Sequence, residues 1–247
     1  MNWISYWLKF LLKVSAASTC RRTTKRTVDS TEFLSFAGPL WLPPSQRTLD
    51  EEIGALFSTF GDLRPRFALD AGAALGMFSL PLLNRFPETR VAAFEPSFPE
   101  RVLLRRNLKL NNLDSRASVV PSCLWSEDTT LLFRSHAYLS GVAGVAGVTI
   151  THSAKEKVCA RSIDSWWSEI GRPNIDLLKM DIEGSEIEAV CGAREMLAAC
   201  RPLLLIEAYH ERDGKRTYDE VARLVSDSGY AVSESSIANG LLIGRKY

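Results

Sequence analysis

The sequence predicts an α/β fold: a mostly parallel, seven-stranded sheet flanked by helices, with a C-terminal antiparallel hairpin and one β-rich insertion. Three observations predict it. From about residue 45 onward, short apolar runs alternate with segments of helical period, the pattern of a parallel sheet covered on both faces. The last two runs have no helix between them, so they pair antiparallel. The stretch from about Thr129 to Arg161 breaks the rhythm with alternating apolar residues.

The elements follow in order. Thr48 to Phe60 spaces Leu49, Ile53, Leu56, Phe57 and Phe60 as a helix, opened by a Thr48/Glu51 capping box and ended by Gly61. Arg66 to Asp70 is a short buried strand, followed by a glycine-containing turn and a helix from about Leu75. Pro81 falls inside that helix, where proline removes a backbone hydrogen bond and kinks the axis. Arg90 to Glu95 is the second strand, Pro99 to Asn112 a helix, and Ser118 to Ser122 the third strand. Ile175 to Asp181 is the fourth, and Ile187, Val190, Cys191 and Leu197 mark the helix after it. Leu203 to Glu207 is the fifth strand, and Thr217 to Ser228 a helix with a second capping box, Thr217 and Glu220. Tyr230 to Ser233 and Leu241 to Gly244 form the terminal pair, joined through Asn239-Gly240. The insertion, with its SGVAGVAGV segment at Ser140 to Val148, is either a selectivity element over the carboxyl edge of the sheet or a surface meander.

The bulk properties narrow the function classes. A chain of 247 residues suits one domain, 45–247, behind an N-terminal extension, 1–44. With 46% hydrophobic and 24% charged residues it has the composition of a soluble globular protein. A formal net charge of +1 supplies no global field for nucleic acid, so no nucleic-acid partner is expected. The five cysteines are scattered without a CxxC pair, which indicates a reducing, cytoplasmic setting. Three histidines leave no histidine-rich metal site, and no metal is expected. Trp3 to Ala17 is apolar but interrupted by Lys9 and Lys13, and shorter than the about 20 apolar residues of a membrane span. Arg21, Arg22, Lys25 and Arg26 follow it. Two readings stay open: an amphipathic helix giving peripheral membrane contact through residues 1–26, or a helix packed on the domain or a second subunit.

In open α/β sheets ligands bind at the carboxyl ends of the strands, and four strand ends here carry suggestive residues. The first is Asp70-Ala71-Gly72-Ala73-Ala74-Leu75-Gly76, where the missing Cβ of glycine lets backbone N–H groups approach a ligand. Its spacing departs from the dinucleotide GxGxxG pattern and fits the looser acid-x-Gly-x-x-x-Gly turn of adenosylmethionine enzymes. The second is Glu95, ending RVAAFE one βα unit later, where a carboxylate can accept both hydroxyls of a ribose. The third is Lys179 to Glu186, KMDIEGSE, in which Asp181, Glu183 and Glu186 converge; clustered acids repel and raise a pKa toward that of a general base. Glu186 alternatively complements the positive N-terminus of its helix. The fourth is Glu207-Ala208-Tyr209-His210, whose histidine beside a carboxylate could deprotonate a hydroxyl acceptor.

Taken together, DAGAALG, AFEP, RNLKLNNL, CLWSE, RSIDSW, KMDIEGSE and LIEAYH resemble the FkbM family of methyltransferases, over roughly Phe67 to Tyr230. The resemblance implies a Rossmann-like class I methyltransferase fold and S-adenosyl-L-methionine as cofactor. It implies cofactor contact at Asp70, Gly72, Gly76 and Glu95, the Ser122 to Trp125 turn near adenine, and Asp181 beside the sulfonium with Glu183 close by. Ala74 belongs to the same cofactor turn and replaces the asparagine usual in the family. The implied reaction is O-methylation of a sugar, glycan or other small-molecule acceptor, with Asp181, Glu183 and His210 as candidate catalytic residues. Two other classes remain alongside: a nicotinamide-dependent oxidoreductase, and a non-catalytic binding module on the same fold.

Overall fold

The computed structural model describes residues 23–28, 31–36, 53–134, 141–142, 155–212, 214–235 and 240–246. The expected N-terminal helix within residues 1–22, the Thr48/Glu51 capping box and most of the SGVAGVAGV segment lie outside them. Within the extension, β1 (Thr23–Val28) and β2 (Thr31–Phe36) form an antiparallel hairpin that hydropathy alone does not announce.

The main sheet has seven strands in the order β14-β15-β11-β10-β3-β4-β5. These are β3 (Phe67–Ala71), β4 (Arg90–Phe94), β5 (Ala117–Val120), β10 (Leu177–Met180), β11 (Leu203–Glu207), β14 (Ala231–Glu234) and β15 (Leu241–Arg245), while β12 (Glu211–Arg212) and β13 (Lys215–Arg216) pair with each other outside it. Five neighbours run parallel; β15 inserts antiparallel between β11 and β14. The expected mostly parallel sheet with a terminal hairpin is therefore the observed one. The chain builds outward from β3 through β4 to β5, then returns to lay β10 and β11 on the other side. That reversal opens a crevice at the carboxyl ends of β3 and β10, the position where open α/β sheets bind ligands.

Side chains alternate between the two faces of each strand, so each strand feeds two cores. Leu69, Phe94, Leu178, Met180, Leu204 and Ile206 point to one, which is covered by α4 (Ile163–Glu169), α5 (Glu186–Cys191), α6 (Arg194–Cys200) and α7 (Thr217–Asp227). Ala68, Val91, Ala93, Leu177 and Leu205 point to the other, under α1 (53–58), α2 (Ser79–Arg85) and α3 (Phe98–Leu110). Full burial of a Leu or Phe side chain is worth about 1.5–3 kcal/mol, so these two layers dominate the cohesion. Phe94 adds an edge-on contact with Trp166, ring centroids 5.0 Å apart.

Two local expectations are corrected. α2 begins at Ser79, not near Leu75, because residues 74–78 form turns in which Gly76 N–H bonds Ala73 O at 2.7 Å. Pro81 is thus the third helical residue, in the first turn, whose N–H groups have no intrahelical acceptor to lose. The Thr217/Glu220 capping box does not form. Thr217 is the first residue of α7, its buried Oγ1 has no partner, and Glu220 instead pairs with Arg223.

The insertion is β-rich as expected. β6 (Cys123–Leu124), β7 (Thr129–Arg134), β8 (Gly141–Val142) and β9 (Lys155–Arg161) form a second sheet in the order β6-β9-β7-β8. An exposed acid, Asp128, and a half-buried one, Asp164, hold the helices that follow. Asp128 accepts from Ser162 N–H at the start of α4, and Asp164 accepts from Glu195 and Met196 N–H, capping α6 from another helix. RSIDSW is therefore structural: Ser162 caps its own helix, accepting from Ser165 N–H at 3.1 Å, while Asp164 caps a neighbour.

Candidate active site

The strand register gathers the acids. Lys179 of β10 pairs with Asp70 of β3 and Leu205 of β11, and Asp70 pairs with Ala93 of β4. Two residues further along each strand, on the same face, come Asp181, Gly72, Glu207 and Glu95. One row across four adjacent strand ends thus carries three carboxylates and the glycine between them.

Glu95 is buried, 5% exposed, and each carboxylate oxygen accepts one backbone N–H at 2.8 Å, from Ala74 and from Ser97. Burial pushes its pKa up to about 7 against the lowering effect of those two N–H groups. A carboxylate oxygen has two lone-pair sites, so one on each oxygen remains to receive a pair of hydroxyls. Ala74 holds the left-handed conformation, φ 46°, which aims its N–H at Glu95. Asparagine tolerates that conformation better than alanine does, a backbone reason for its usual presence here.

The glycine turn is fixed from several sides. A Cβ on Gly72, φ 77°, would lie 1.9 Å from the Asp181 carbonyl oxygen, so this glycine permits the two turns to touch. Asp181 N–H bonds Ala71 O at 3.0 Å across the same junction. Asn107, fully buried on α3, donates to Leu75 O at 2.9 Å, which explains the asparagine in RNLKLNNL. Two expected contact residues have other work. A Cβ on Gly76 would sit 2.1 Å from Leu80 and 2.8 Å from Leu104, so its glycine serves helix packing. The Asp70 carboxylate is 0% exposed beneath the turn, accepting from Ser79 Oγ at 2.5 Å with Lys179 Nζ at 3.4 Å. Asp70 anchors the turn from below and is not placed to touch a ligand itself.

On the other side of the crevice, Glu183, Glu186 and His210 form a knot. His210 Nε2 lies 3.1 Å from Glu183 Oε2, and His210 Nδ1 lies 3.9 Å from Glu186 Oε2. Glu186 is fully buried, and its Oε1 accepts N–H groups of Ile182 and Gly184 at 3.1 and 3.2 Å. Burial pushes its pKa up to about 7, against the lowering charge of His210. Glu186 thus serves the backbone at the start of its own helix as well as facing His210. Burial works against the charge on His210, but its hydrogen bond with Glu183 and the charges of Glu186, Glu183 and Asp181 outweigh that, to about 9. His210 thus sits between two carboxylates that favour its charged form, an arrangement that works against the expected base role. Glu183 is raised chiefly by burial, with His210 opposing, and holds an unusual φ of 57°.

Lys179 and Glu207 are the participants to which sequence reasoning gave no role. Both stand in the quoted motifs, and the period-2 alternation of β10 and β11 already puts them on the Asp70 and Asp181 face. Burial pushes Glu207 up to about 8, helped by the charge of Asp181 and opposed by Lys179. Asp181 Oδ1 is buried without a hydrogen-bond partner, a polar atom waiting for a ligand donor or cation. Ser122 is buried and Trp125 half-buried beyond the carboxyl end of β5, beside β4, where Trp125 N–H bonds Arg161 O at 2.9 Å. A cavity of about 660 Å³ lined by Phe57, Phe60, Phe86, Arg64 and Arg85 lies at the opposite, amino edge of the sheet and holds none of these acids. Among the described residues, no group of three or more His, Cys, Asp or Glu has metal-holding geometry, and no helix is long and apolar enough to cross a membrane.

Residues 70–232 match the sequence profile of the methyltransferase FkbM domain. Methyltransferase sdnD of Sordaria araneosa is 27% identical over 195 residues, covering 68% of this chain and 74% of that protein. Methyltransferase 1 of Beauveria bassiana is 24% identical over 187 residues, covering 68% and 73%. Among solved structures, methyltransferase FkbM from Methylobacillus flagellatus superposes with a TM-score of 0.51 at 23% identity, over 74% of this chain and 45% of that one. This chain therefore spans less than half of that solved structure. Precorrin-6y C5,15-methyltransferase from Geobacter metallireducens gives a TM-score of 0.50 at 14% identity, over 85% and 94%. At such identities the structural likeness shows a Rossmann-like methyltransferase fold.

Proposed function

Because the chain belongs to the FkbM methyltransferase family, we propose that it binds S-adenosylmethionine along the Glu95–Gly72–Asp181 row and methylates a hydroxyl oxygen of a small-molecule or glycan acceptor. The observation that carries the proposal is the pairing of Glu95, with one free lone pair on each oxygen, and Asp181, with a buried unpartnered Oδ1, across the glycine turn. A ribose diol fits the first and a sulfonium the second. When bound, the cofactor supplies a methyl group already activated on a cationic sulfur.

The chain's own residues do the rest. Glu95 orients the ribose end, and the N–H groups of the turn frame it. Around the reacting end, burial and mutual repulsion raise Glu183, Glu186 and Glu207, and a cationic ligand placed beside them favours their ionised forms. Asp181 is the assigned proton acceptor for the acceptor hydroxyl, since Glu183 is engaged by His210 and Glu186 by backbone N–H groups. Alignment of the two reactants supplies most of the barrier reduction, up to about 7–11 kcal/mol in favourable cases. The insertion sheet follows the β5 edge directly and is the part of the chain suited to select the acceptor.

The test is release of S-adenosylhomocysteine from S-adenosylmethionine against a panel of hydroxylated glycosides and polyketides. We expect acceptor-dependent release, and Asp181→Asn to lower kcat about 10²–10⁴-fold. Cofactor binding without turnover on any acceptor class would favour a binding module instead.

A further inference from the structure

We propose that Lys179 is a positioning residue: its ammonium ties the cofactor-binding glycine turn to the strand that carries the acidic turn, as the counterion of Asp70 and a neighbour of Asp181 and Glu207 in the row of strand ends. The inference rests on the cofactor reading above and goes beyond it.

The side chain is 11% exposed, so its charge is held by the protein and not by water. Its Nζ lies 3.4 Å from Asp70 Oδ1 and donates to Gly72 O at 3.3 Å. Asp70 Oδ1 has no hydrogen-bond partner, so this ammonium is its only balancing charge among the described residues. Gly72 O belongs to the turn whose neighbouring N–H groups reach Glu95 and Phe94 O. Lys179 itself sits on β10, two residues before Asp181 on the same face. One cation therefore fastens the backbone that frames the cofactor to the strand that presents the acceptor-side acid. Burial opposes its charge, but Asp70 first, then Asp181 and Glu207, outweigh burial and hold the proton above its ordinary range.

Glu207 stands two residues past Leu205, the β11 register partner of Lys179, so the ammonium is its neighbour across the sheet. That carboxyl faces Lys179 and Asp181 from β10, Glu183 from the acidic turn and Glu186 from α5, with Tyr209 and His210 following on its own segment. Removing Lys179 while keeping Asp70 leaves a buried charge uncompensated and endangers folding by itself. The pair can instead be removed together.

The experiment compares wild-type, Lys179→Met and the paired variant Asp70→Asn/Lys179→Met. Thermal unfolding establishes that each is folded. Titration calorimetry is then run with S-adenosylhomocysteine, and with sinefungin, which carries an ammonium near the sulfonium position, between pH 6 and 9.5. We expect the paired variant to bind S-adenosylhomocysteine at least fivefold more weakly than wild-type although its buried charges are balanced, because Gly72 O has lost its donor. We also expect the pH midpoint for sinefungin affinity to rise in the paired variant as Glu207 loses its nearby cation. Wild-type affinity together with an unmoved midpoint in the paired variant would overturn the proposal and reduce Lys179 to a structural partner of Asp70. Absence of binding by folded wild-type protein would overturn the cofactor reading and this one with it, a separate and recognisable outcome.

Discussion

Ala74 and Glu95 show how much rests on single residues at the glycine turn. Ala74 holds φ 46°, where an L-residue with a Cβ costs about 1–2 kcal/mol relative to glycine. Ala74→Gly should therefore stabilise the fold by about 1 kcal/mol in urea unfolding, and an unchanged or lower midpoint would contradict the strain. From the sequence alone, Ala74 signals a lost side-chain hydrogen bond. The structure relocates the issue to the backbone, since it is the Ala74 N–H that reaches Glu95. Glu95, pushed up to about 7 by burial, should give up its proton when ribose hydroxyls donate to it. Calorimetry at pH 7 in buffers of different ionisation enthalpy should accordingly show proton release on binding S-adenosylhomocysteine, and the release should vanish in Glu95→Gln. The acids were legible because strand-end carboxylates after apolar runs are a sequence pattern. The upward shift of His210 was not, because it depends on Glu183 and Glu186, which only the folded turn brings within 3.1 and 3.9 Å.

At the scale of elements, patterning succeeded where burial is two-sided and failed where turns and caps compete. LLLIE at Leu203–Glu207 is a strand to the residue, because a central parallel strand is apolar on both faces. The start of α2 was misplaced by about four residues because the glycine turn uses the intervening backbone for its own hydrogen bonds. That displacement decides the role of Pro81. A proline in mid-helix costs about 3 kcal/mol, so replacing it would stabilise strongly. At the third position of α2 no such gain is available, and Pro81→Ala should change stability by less than about 1 kcal/mol, in the destabilising direction as the unfolded chain gains freedom. A gain of about 2 kcal/mol or more would show that the helix begins earlier. The β1–β2 hairpin went unread for another reason: Thr23–Val28 is rich in threonine and basic residues and has no apolar alternation to announce a strand.

For the whole molecule, the site acids make stability depend on pH in a definite direction. Glu95 and Glu186 have folded pKa values raised to about 7, so the folded state binds protons that the unfolded state has released. Their stabilising contribution is present below the unfolded value of about 4.5 and is lost as pH rises through about 7. His210, raised to about 9, adds a contribution present below its unfolded value of about 6.5 and lost as pH rises through about 9. The unliganded protein should therefore lose urea stability steadily from pH 5 to pH 9, and a rise over that interval would contradict the buried-acid account. A protein that keeps so many carboxylates together without ligand bears a cost that a cationic ligand relieves. The architecture that creates this crevice was legible throughout, from alternation of elements to the inserted last strand. The acceptor was not, because no motif in the sequence selects among hydroxylated acceptors.

The central claim, an adenosyl-ligand site on the Glu95–Gly72–Asp181 row, is tested most directly by titration calorimetry of S-adenosylhomocysteine into wild-type protein and Glu95→Ala. We predict saturable one-to-one binding by wild-type that falls at least tenfold in the folded variant. Folded wild-type protein that shows no binding, or a variant that binds equally well, would contradict it.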